Sequence, residues 1–587
     1  MGKLSRREFI YMMAVLGAAP VFANSHTRMA QTNKAEDYYK LKNFGNVRLL
    51  HMTDSHAQLL PVYFREPSVN LGFFDNYGKP PHIVGENLLD YYGIKGNKRL
   101  EYAFSSVNFE KHSKVMGKVG GFSQIKTVVD YLRNNFGLEK TLLLDGGDTW
   151  QGSATALYTR GTDMVGAMNL LGVDVAVGHW EFTYKAEEIL KNVKALDAEF
   201  LAQNVFVKED ALMEGASAYD EDSGLAFKPY TIKKMGNARV AVIGQAFPYT
   251  TIANPQRFIP DWTFGIRNDE MQELVDTIKE EEKPDVVIVL SHNGFDVDQK
   301  MANVCTGIDF IMGGHTHDGV PEAVPVKNEG GTTYVCNAGS NGKFINVLDL
   351  DIQNGKIKDF KFTLLPIFSD LIPENKQMKQ YIQNVRKPFL KDLNRQIATT
   401  DETLFRRGNF NGSWDQIICD ALIDVKGADI SLSPGFRWGT TIMPGQAITF
   451  DDLMTQTAMT YPETYARDIT GAGIKAILED VADNLFNEDP FYQQGGDMVR
   501  TGGISYRINP TAAMGSRITN IELSKNGKKL QANKSYKVAG WSTVGSQSPG
   551  EPVWETVETY LQNVKHINNL KVDTPDIVGV KGNPGII

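Results

Sequence analysis

The sequence predicts an α/β fold in two domains, and three observations carry that expectation. Short apolar runs, each closing on polar residues, recur at Val47–Met52, Thr141–Leu144, Asp174–Val177, Val240–Ile243, Val286–Leu290, Ile308–Met312 and Thr333–Cys336. Helical stretches such as Gly121–Phe136 and Asp269–Glu282 lie between them, so buried strands alternate with covering helices. The alternation stops after Leu365, and fresh strands and helices begin near residue 398, including Asp415–Val425 and Gly473–Leu485.

Size and composition agree with that organisation. The chain has 587 residues, 42% hydrophobic and 22% charged, an ordinary globular balance that excludes collagen-like, coiled-coil and wholly disordered classes. Roughly 100–200 residues per domain gives room for two to four domains. With 61 basic against 70 acidic residues, and no Lys/Arg block interleaved with aromatics, a nucleic-acid partner is excluded. Three cysteines, Cys305, Cys336 and Cys419, are too few for a disulfide scaffold, and whether two of them pair is open.

The elements follow in order. Ser5-Arg6-Arg7-Glu8-Phe9-Ile10 precedes the apolar stretch Tyr11–Val21, and Val21-Phe22-Ala23 offers small residues for cleavage. Residues 1–23 therefore read as a secretory leader, whose paired arginines resemble the twin-arginine signal of bacteria and imply a periplasmic destination. That route carries folded proteins, often with a cofactor inserted. Residues 24–43 read as a polar tether, and no later segment reaches 18 apolar residues, so no membrane anchor is expected after cleavage. Between Gln58 and Gly120 lies a long insertion rich in Pro, Gly and aromatics, either disordered or a lid. Glu374–Leu393 reads as one charged amphipathic helix leading into the second domain.

Four strand ends deliver carboxylates and imidazoles. Asp54-Ser55-His56 is an Asp-x-His whose spacing puts both side chains on one side of an extended segment. Gly146-Gly147-Asp148 presents a carboxylate at a tip where glycines let the backbone approach closely. Ser291-His292-Asn293-Gly294 and Gly313-Gly314-His315-Thr316-His317 repeat the device with histidines. Each piece alone fits a hydrogen-bonded loop. The ordered series, with more than four nitrogen and oxygen donors, calls for two divalent cations bridged by one carboxylate.

These segments resemble the calcineurin-like metallophosphoesterases of the bacterial 5′-nucleotidase type, over essentially all of residues 44–587. The resemblance implies a four-layer αββα dimetal sandwich over 44–368, a linker helix over 369–397 and a smaller α+β substrate domain over 398–587. It also implies that Asp54, His56, Asp148 and His317 hold one metal, while Asp148, His179, His292 and His315 hold the other. The family's Gly-Asn-His-Glu-Phe-Asp segment stands here as Gly178-His179-Trp180-Glu181-Phe182-Thr183. The Asn ligand has become His179, and the family's catalytic His and its orienting Asp have become Trp180 and Thr183. Trp180 is no acid-base catalyst.

All seven ligand positions nonetheless remain, which favours a reaction with a good leaving group over a dead enzyme. Three segments, Gly178–Tyr184, Ser433–Gly439 and Gly495–Gly503, are similar to the SoxB branch, the thiosulfohydrolases of bacterial sulfur oxidation. That similarity implies two manganese ions and a substrate thiosulfonate carried on a cysteine of a SoxYZ-type carrier arm. Hydroxide activated by the metals would attack the terminal sulfur and release sulfate. Arg437 would clamp sulfonate oxygens, and Trp180 would either line the substrate slot or pack in the core. Asp145 is open between orienting a ligand imidazole and stabilising its turn, and His51 between core and ligand support. His26, His82, His112 and His566 read as surface residues. Gly495-Gly496 and Gly502-Gly503 flank a loop of the second domain that either closes on the site or is held by plain glycine turns, and the insertion either contacts the carrier or covers the fold. The rivals are a 5′-nucleotidase or phosphodiesterase of the same fold and a non-catalytic binding module of the sulfur-oxidising pathway.

Overall fold

The computed structural model describes residues 38–587. The expected leader, residues 1–23, and most of the expected tether lie outside the described residues. Where the description begins, Tyr38 and Tyr39 are buried, and the Tyr39 hydroxyl donates to the Pro366 carbonyl at 2.8 Å while accepting from the Phe368 N–H at 3.0 Å.

Two six-stranded sheets make the first unit. One runs Lys356–Pro366, Phe344–Gln353, Val47–Met52, Thr141–Asp145, Val175–Ala176, Glu199–Phe200. The other runs Val324–Asn328, Gly331–Asn337, Phe310–Gly313, Val286–Ser291, Ala238–Gln245, Tyr230–Met235. Their central strands are parallel and buried along their whole length, as in Val47–Met52, Thr141–Asp145 and Val286–Ser291. Alternate side chains of one strand serve two cores. Val240 and Val242 join the core between the sheets, while Ala241 and Ile243 meet Met271, Val275 and Met301 of the helices Asn268–Glu281 and Phe295–Val304. The helix Phe122–Phe136 covers the first sheet through Ile125, Val129 and Leu132. The mixed α/β fold and its two-part architecture are therefore as expected.

Glu199 clasps the two sheet edges together. Its carboxylate accepts from Thr231 Oγ1 at 2.9 Å and Lys233 Nζ at 2.6 Å on the edge strand of the other sheet, and from Lys228 Nζ. Burial opposes ionisation of Glu199, but these donors outweigh it and hold the carboxyl at about 2.

Two expectations are corrected. The insertion is not a structureless loop: it folds into the helices Gly85–Tyr91, Lys98–Phe104 and Phe109–Met116, which bury Leu89, Leu100, Tyr102 and Phe109. The single helix expected over Glu374–Leu393 is broken into Lys376–Arg386, the short 3-10 turn Lys387–Phe389 and Leu390–Leu393. The break falls at Pro388, which lacks the N–H a continuing helix needs.

The second unit is built on a four-stranded sheet, Thr464–Thr470, Ser535–Trp541, Ile430–Ser433, Arg500–Gly502, packed by the helices Ser413–Lys426 and Gly471–Phe486. Its final residues return to the insertion of the first unit. The Asn70 N–H donates to the Gly585 carbonyl at 2.8 Å, the Val84 N–H donates to the Pro584 carbonyl at 2.9 Å, and Val69 bridges to Ile586. Among the described residues, no helix is long and apolar enough to cross a membrane.

Candidate active site

The site stands at the ends of the central strands, and the backbone there departs from extended geometry. Asp54 (φ 51), His56 (φ 44), Asp148 (φ 58), His315 (φ 73) and His317 (φ 59) all adopt left-handed conformations. Such conformations are costly for residues with a Cβ and concentrate at functional sites. Asp54 and His56 therefore converge through a turn, not through the strand alternation that their spacing suggested. Gly314 permits the close approach of two of these turns, since a Cβ there would lie 2.3 Å from Thr53 Oγ1.

All seven sequence-predicted ligand positions are brought together and buried. They form two groups that share Asp148: Asp148, His179, His292 and His315, and Asp54, His56, Asp148 and His317, with the donor atoms of each group within 4.8 Å of one another. His292 Nε2 is 3.1 Å from Asp148 Oδ2, and His317 Nε2 is 3.1 Å from Asp54 Oδ1.

The chemistry of these donors fits a pair of cations. Both ring nitrogens of His315, with His179 Nε2 and His317 Nδ1, are buried without a hydrogen-bond partner among the described residues, while His179 Nδ1 and His292 Nε2 face the Asp148 carboxylate at 3.2 and 3.1 Å. Unpaired buried polar atoms in such number are costly unless something binds them. Burial holds the His56, His179, His315 and His317 imidazoles below the usual histidine range, so they present lone pairs. Burial works against ionisation of Asp148, but His179, His292 and His56 outweigh it and hold that carboxyl well below its ordinary value. The imidazoles are oriented by backbone carbonyls: His292 Nδ1 meets Gly146 O at 2.5 Å, and His56 Nδ1 meets Gln151 O at 3.2 Å.

One organising residue was missed by sequence reasoning. The buried Glu181 carboxylate accepts four backbone N–H groups, from His179 (2.8 Å) and Asp148 (3.1 Å) on one oxygen and from Thr149 (2.6 Å) and Trp150 (3.1 Å) on the other. It ties the Asp148 loop to the His179 loop. The signal that could have found it was its retention in the family's segment, where the neighbouring His and Asp are replaced. Asp145, by contrast, stabilises its own turn, accepting from Thr149 Oγ1 at 2.8 Å and the Gly147 N–H at 2.9 Å. His51 is fully buried beneath the loops, with Nδ1 3.1 Å from Asn346 Nδ2.

Above the ligands lies a chamber of about 350 Å³ between the two units. Trp180 is one wall, edge-on to Trp438 at 5.2 Å and to Phe436 at 5.5 Å, and is buried as well, so it both lines the slot and packs. Thr183 is turned to the second unit, its hydroxyl 2.6 Å from that of Thr460. Arg437 also lines the chamber. Its Nη2 donates to the Gly496 carbonyl at 2.8 Å, its Nε donates to Asp497 at 3.3 Å, and its Nη1 is buried without a partner among the described residues. A run of buried ion pairs backs it, from Asp497 to Arg500 (3.0 Å), Arg500 to Asp415 (3.1 Å) and Asp415 to Arg406 (2.8 Å). The Gly495-Gly496 loop closes against the ligands, and a Cβ at Gly495 would lie 1.8 Å from His315 Nε2.

Two histidines expected at the surface are not there. His112 is buried, 3.8 Å from Glu101, and His82 is largely buried, its Nε2 2.9 Å from Asp296 Oδ2. His112 stands on the buried face of an insertion helix, and His82 is held against the helix Phe295–Val304 through Asp296. His566 sits beside Asp401 at 3.0 Å and is partly exposed, and His26 lies outside the described residues. The three cysteines are buried and unpaired.

Known proteins bear on this geometry. A family model described as the 5′-nucleotidase C-terminal domain matches residues 396–554. The trifunctional nucleotide phosphoesterase YfkN of Bacillus subtilis is 27% identical over 458 residues, 70% of this chain, which spans only 30% of that relative's length. The structure of a 5′-nucleotidase precursor from Thermus thermophilus superposes with a TM-score of 0.71 at 20% identity, over 91% of this chain and 99% of that one, and shows a shared fold. The structure of the Thermus thermophilus sulfate thiohydrolase SoxB superposes with a TM-score of 0.84 at 32% identity, over 92% of this chain and 98% of that one. At that identity across nearly the full length of both, the chain belongs to the SoxB family of hydrolases within the 5′-nucleotidase and metallophosphoesterase superfamily.

Proposed function

We propose that this chain hydrolyses a sulfur–sulfur bond in a cysteine S-thiosulfonate presented on the arm of a SoxYZ-type carrier protein. Water adds to the terminal sulfur, the S–S bond breaks, sulfate and a proton leave, and the carrier cysteine keeps a persulfide. The observation that carries this reading is Trp180 with Thr183 beside a complete ligand set: the site keeps what activates a nucleophile and lacks the imidazole that would serve a poor leaving group. A persulfide sulfur leaves without such help. Similarity to the Thermus sulfate thiohydrolase supports the substrate class, and the Arg6-Arg7 leader supports action in the periplasm.

Asp54, His56, Asp148 and His317 would hold one cation and Asp148, His179, His292 and His315 the other, manganese by resemblance to the family. Divalent ions bound there supply Lewis acidity and lower the pKa of water. The remaining work falls to side chains. Asp497 and the Gly496 carbonyl fix the Arg437 plane and leave Nη1 to meet a sulfonate oxygen. Trp180, Phe436 and Trp438 keep water from the rest of the slot.

The test mixes purified protein, a thiosulfonate-charged carrier peptide and, separately, AMP, with sulfate and phosphate measured by ion chromatography. Sulfate release far above phosphate release is expected. The reverse selects the nucleotidase, and fewer than two cations per chain with neither product selects a binding module.

A further inference from the structure

A second, smaller cavity of about 60 Å³ adjoins the chamber, large enough for a few waters or one tetrahedral oxyanion. His82, Asp296, Asp318 and Asn409 contribute to its wall, and it shares His315, Arg437 and the Gly495-Gly496 pair with the chamber over the metal ligands. His82 comes from the insertion, more than 200 positions from its partner Asp296. Asp296 stands in the first turn of the helix Phe295–Val304, just past the ligand His292.

The pair is built as a fixed donor. His82 Nε2 faces both Asp296 oxygens, at 2.9 and 3.1 Å, and only 13% of either side chain is exposed. Gly72 packs against the His82 side chain, since a Cβ there would lie 2.5 Å from His82 Cβ and 2.8 Å from its Cγ. Two residues of the cavity wall each hold a buried nitrogen with no partner among the described residues, His82 Nδ1 and Arg437 Nη1. Burial disfavours the charged imidazole, and Arg437 adds to that, but Asp296, through charge and hydrogen bonding, and Asp318 outweigh both and raise the His82 pKa above its ordinary value.

We propose that this cavity is a subsite for a tetrahedral sulfur oxyanion, with His82 Nδ1–H and Arg437 Nη1–H as its donors and Asp296 as the positioning residue that holds the imidazole. The inference rests on the sulfur-hydrolysis reading for the class of anion; free phosphate shares the tetrahedral chemistry and is the control.

Equilibrium dialysis of labelled sulfate and of phosphate against the metal-loaded protein tests it, with metal content measured in parallel on the native chain, His82→Gln and Asp296→Asn. Sulfate affinity should fall about tenfold in His82→Gln, the loss of one charge-assisted donor, and less in Asp296→Asn, at unchanged metal content. The second variant keeps the test valid should the first fail to fold. Native sulfate affinity in a folded variant of either kind overturns the subsite, and phosphate bound more tightly than sulfate overturns its assignment to sulfur. If sulfate binds through His82 but no sulfate is released from charged carrier, the subsite stands and the hydrolysis reading falls. If sulfate is released while both variants bind as the native chain does, the reading stands and the subsite falls.

Discussion

The two walls of the chamber are made by different means. The metal-ligand wall, from the first unit, is a backbone construction: five left-handed residues at strand ends, with Glu181 gathering four N–H groups beneath them. The facing wall, from the second unit, is a side-chain construction in which stacked rings and a run of buried ion pairs hold one guanidinium. Backbone turns set by a whole sheet tolerate little change and suit the chemistry shared across a superfamily. Side chains on loops can be exchanged singly, which suits the choice of substrate.

Substitutions on each wall should separate these roles. The largest effect is expected at Asp148, the one residue in both ligand groups: Asp148→Ala should remove at least one cation per chain by elemental analysis and lower turnover about a thousandfold or more. Retention of two cations would show that the groups do not share it. Arg437→Ala should lower turnover about 10²–10³-fold, as for loss of a single oxyanion donor, with metal content intact. Loss of metal in that variant would mean that the two walls are not independent. Glu181→Gln sets an amide NH₂ against two backbone donors, and it should weaken cation binding in a metal titration about 10–100-fold. A lower melting temperature with unchanged affinity would reduce Glu181 to a purely structural part.

The smallest effect lies away from both walls, at the clasp between the sheets. Glu199→Gln should cost about 1 kcal/mol at neutral pH, a modest figure because the carboxylate is partly exposed. A carboxyl depressed from 4.5 to about 2 gives its full contribution above its unfolded value and loses it as pH falls through the folded one. The stability gap between native and variant chains, read by urea denaturation, should therefore close between about pH 4.5 and about pH 2. A gap that persists below that window would leave the clasp without an electrostatic role.

The sequence showed the first wall better than the second. Ligands at strand ends announce themselves because an apolar run stops at a charged or imidazole side chain, as at Asp54, His56, Asp148, His292, His315 and His317, whereas His179 and the division into two groups came from the family resemblance. The local route was less legible: the Asp54 and His56 spacing suits an extended strand, and only the sheet around it imposes the turn. The role of Glu181 and the pairing of His82 with Asp296 were hidden for a different reason. Their partners are backbone amides, or a carboxylate more than 200 positions away, and neither leaves a pattern in local composition. The helices within Gln58–Gly120 were hidden by the glycines and prolines between them, which signal turns without saying how short those turns are.

The joining of Val69, Asn70 and Val84 to residues 584–586 sets the order of events during synthesis. The segment holding Val69, Asn70 and Val84 is synthesised well before residues 584–586, so this seam cannot form until the second unit has been made. Until then the backbone groups of Asn70 and Val84 lack their lasting partners and are open to wrong ones. So distant a pairing also slows the final closure, which makes this seam the place where misfolding should begin.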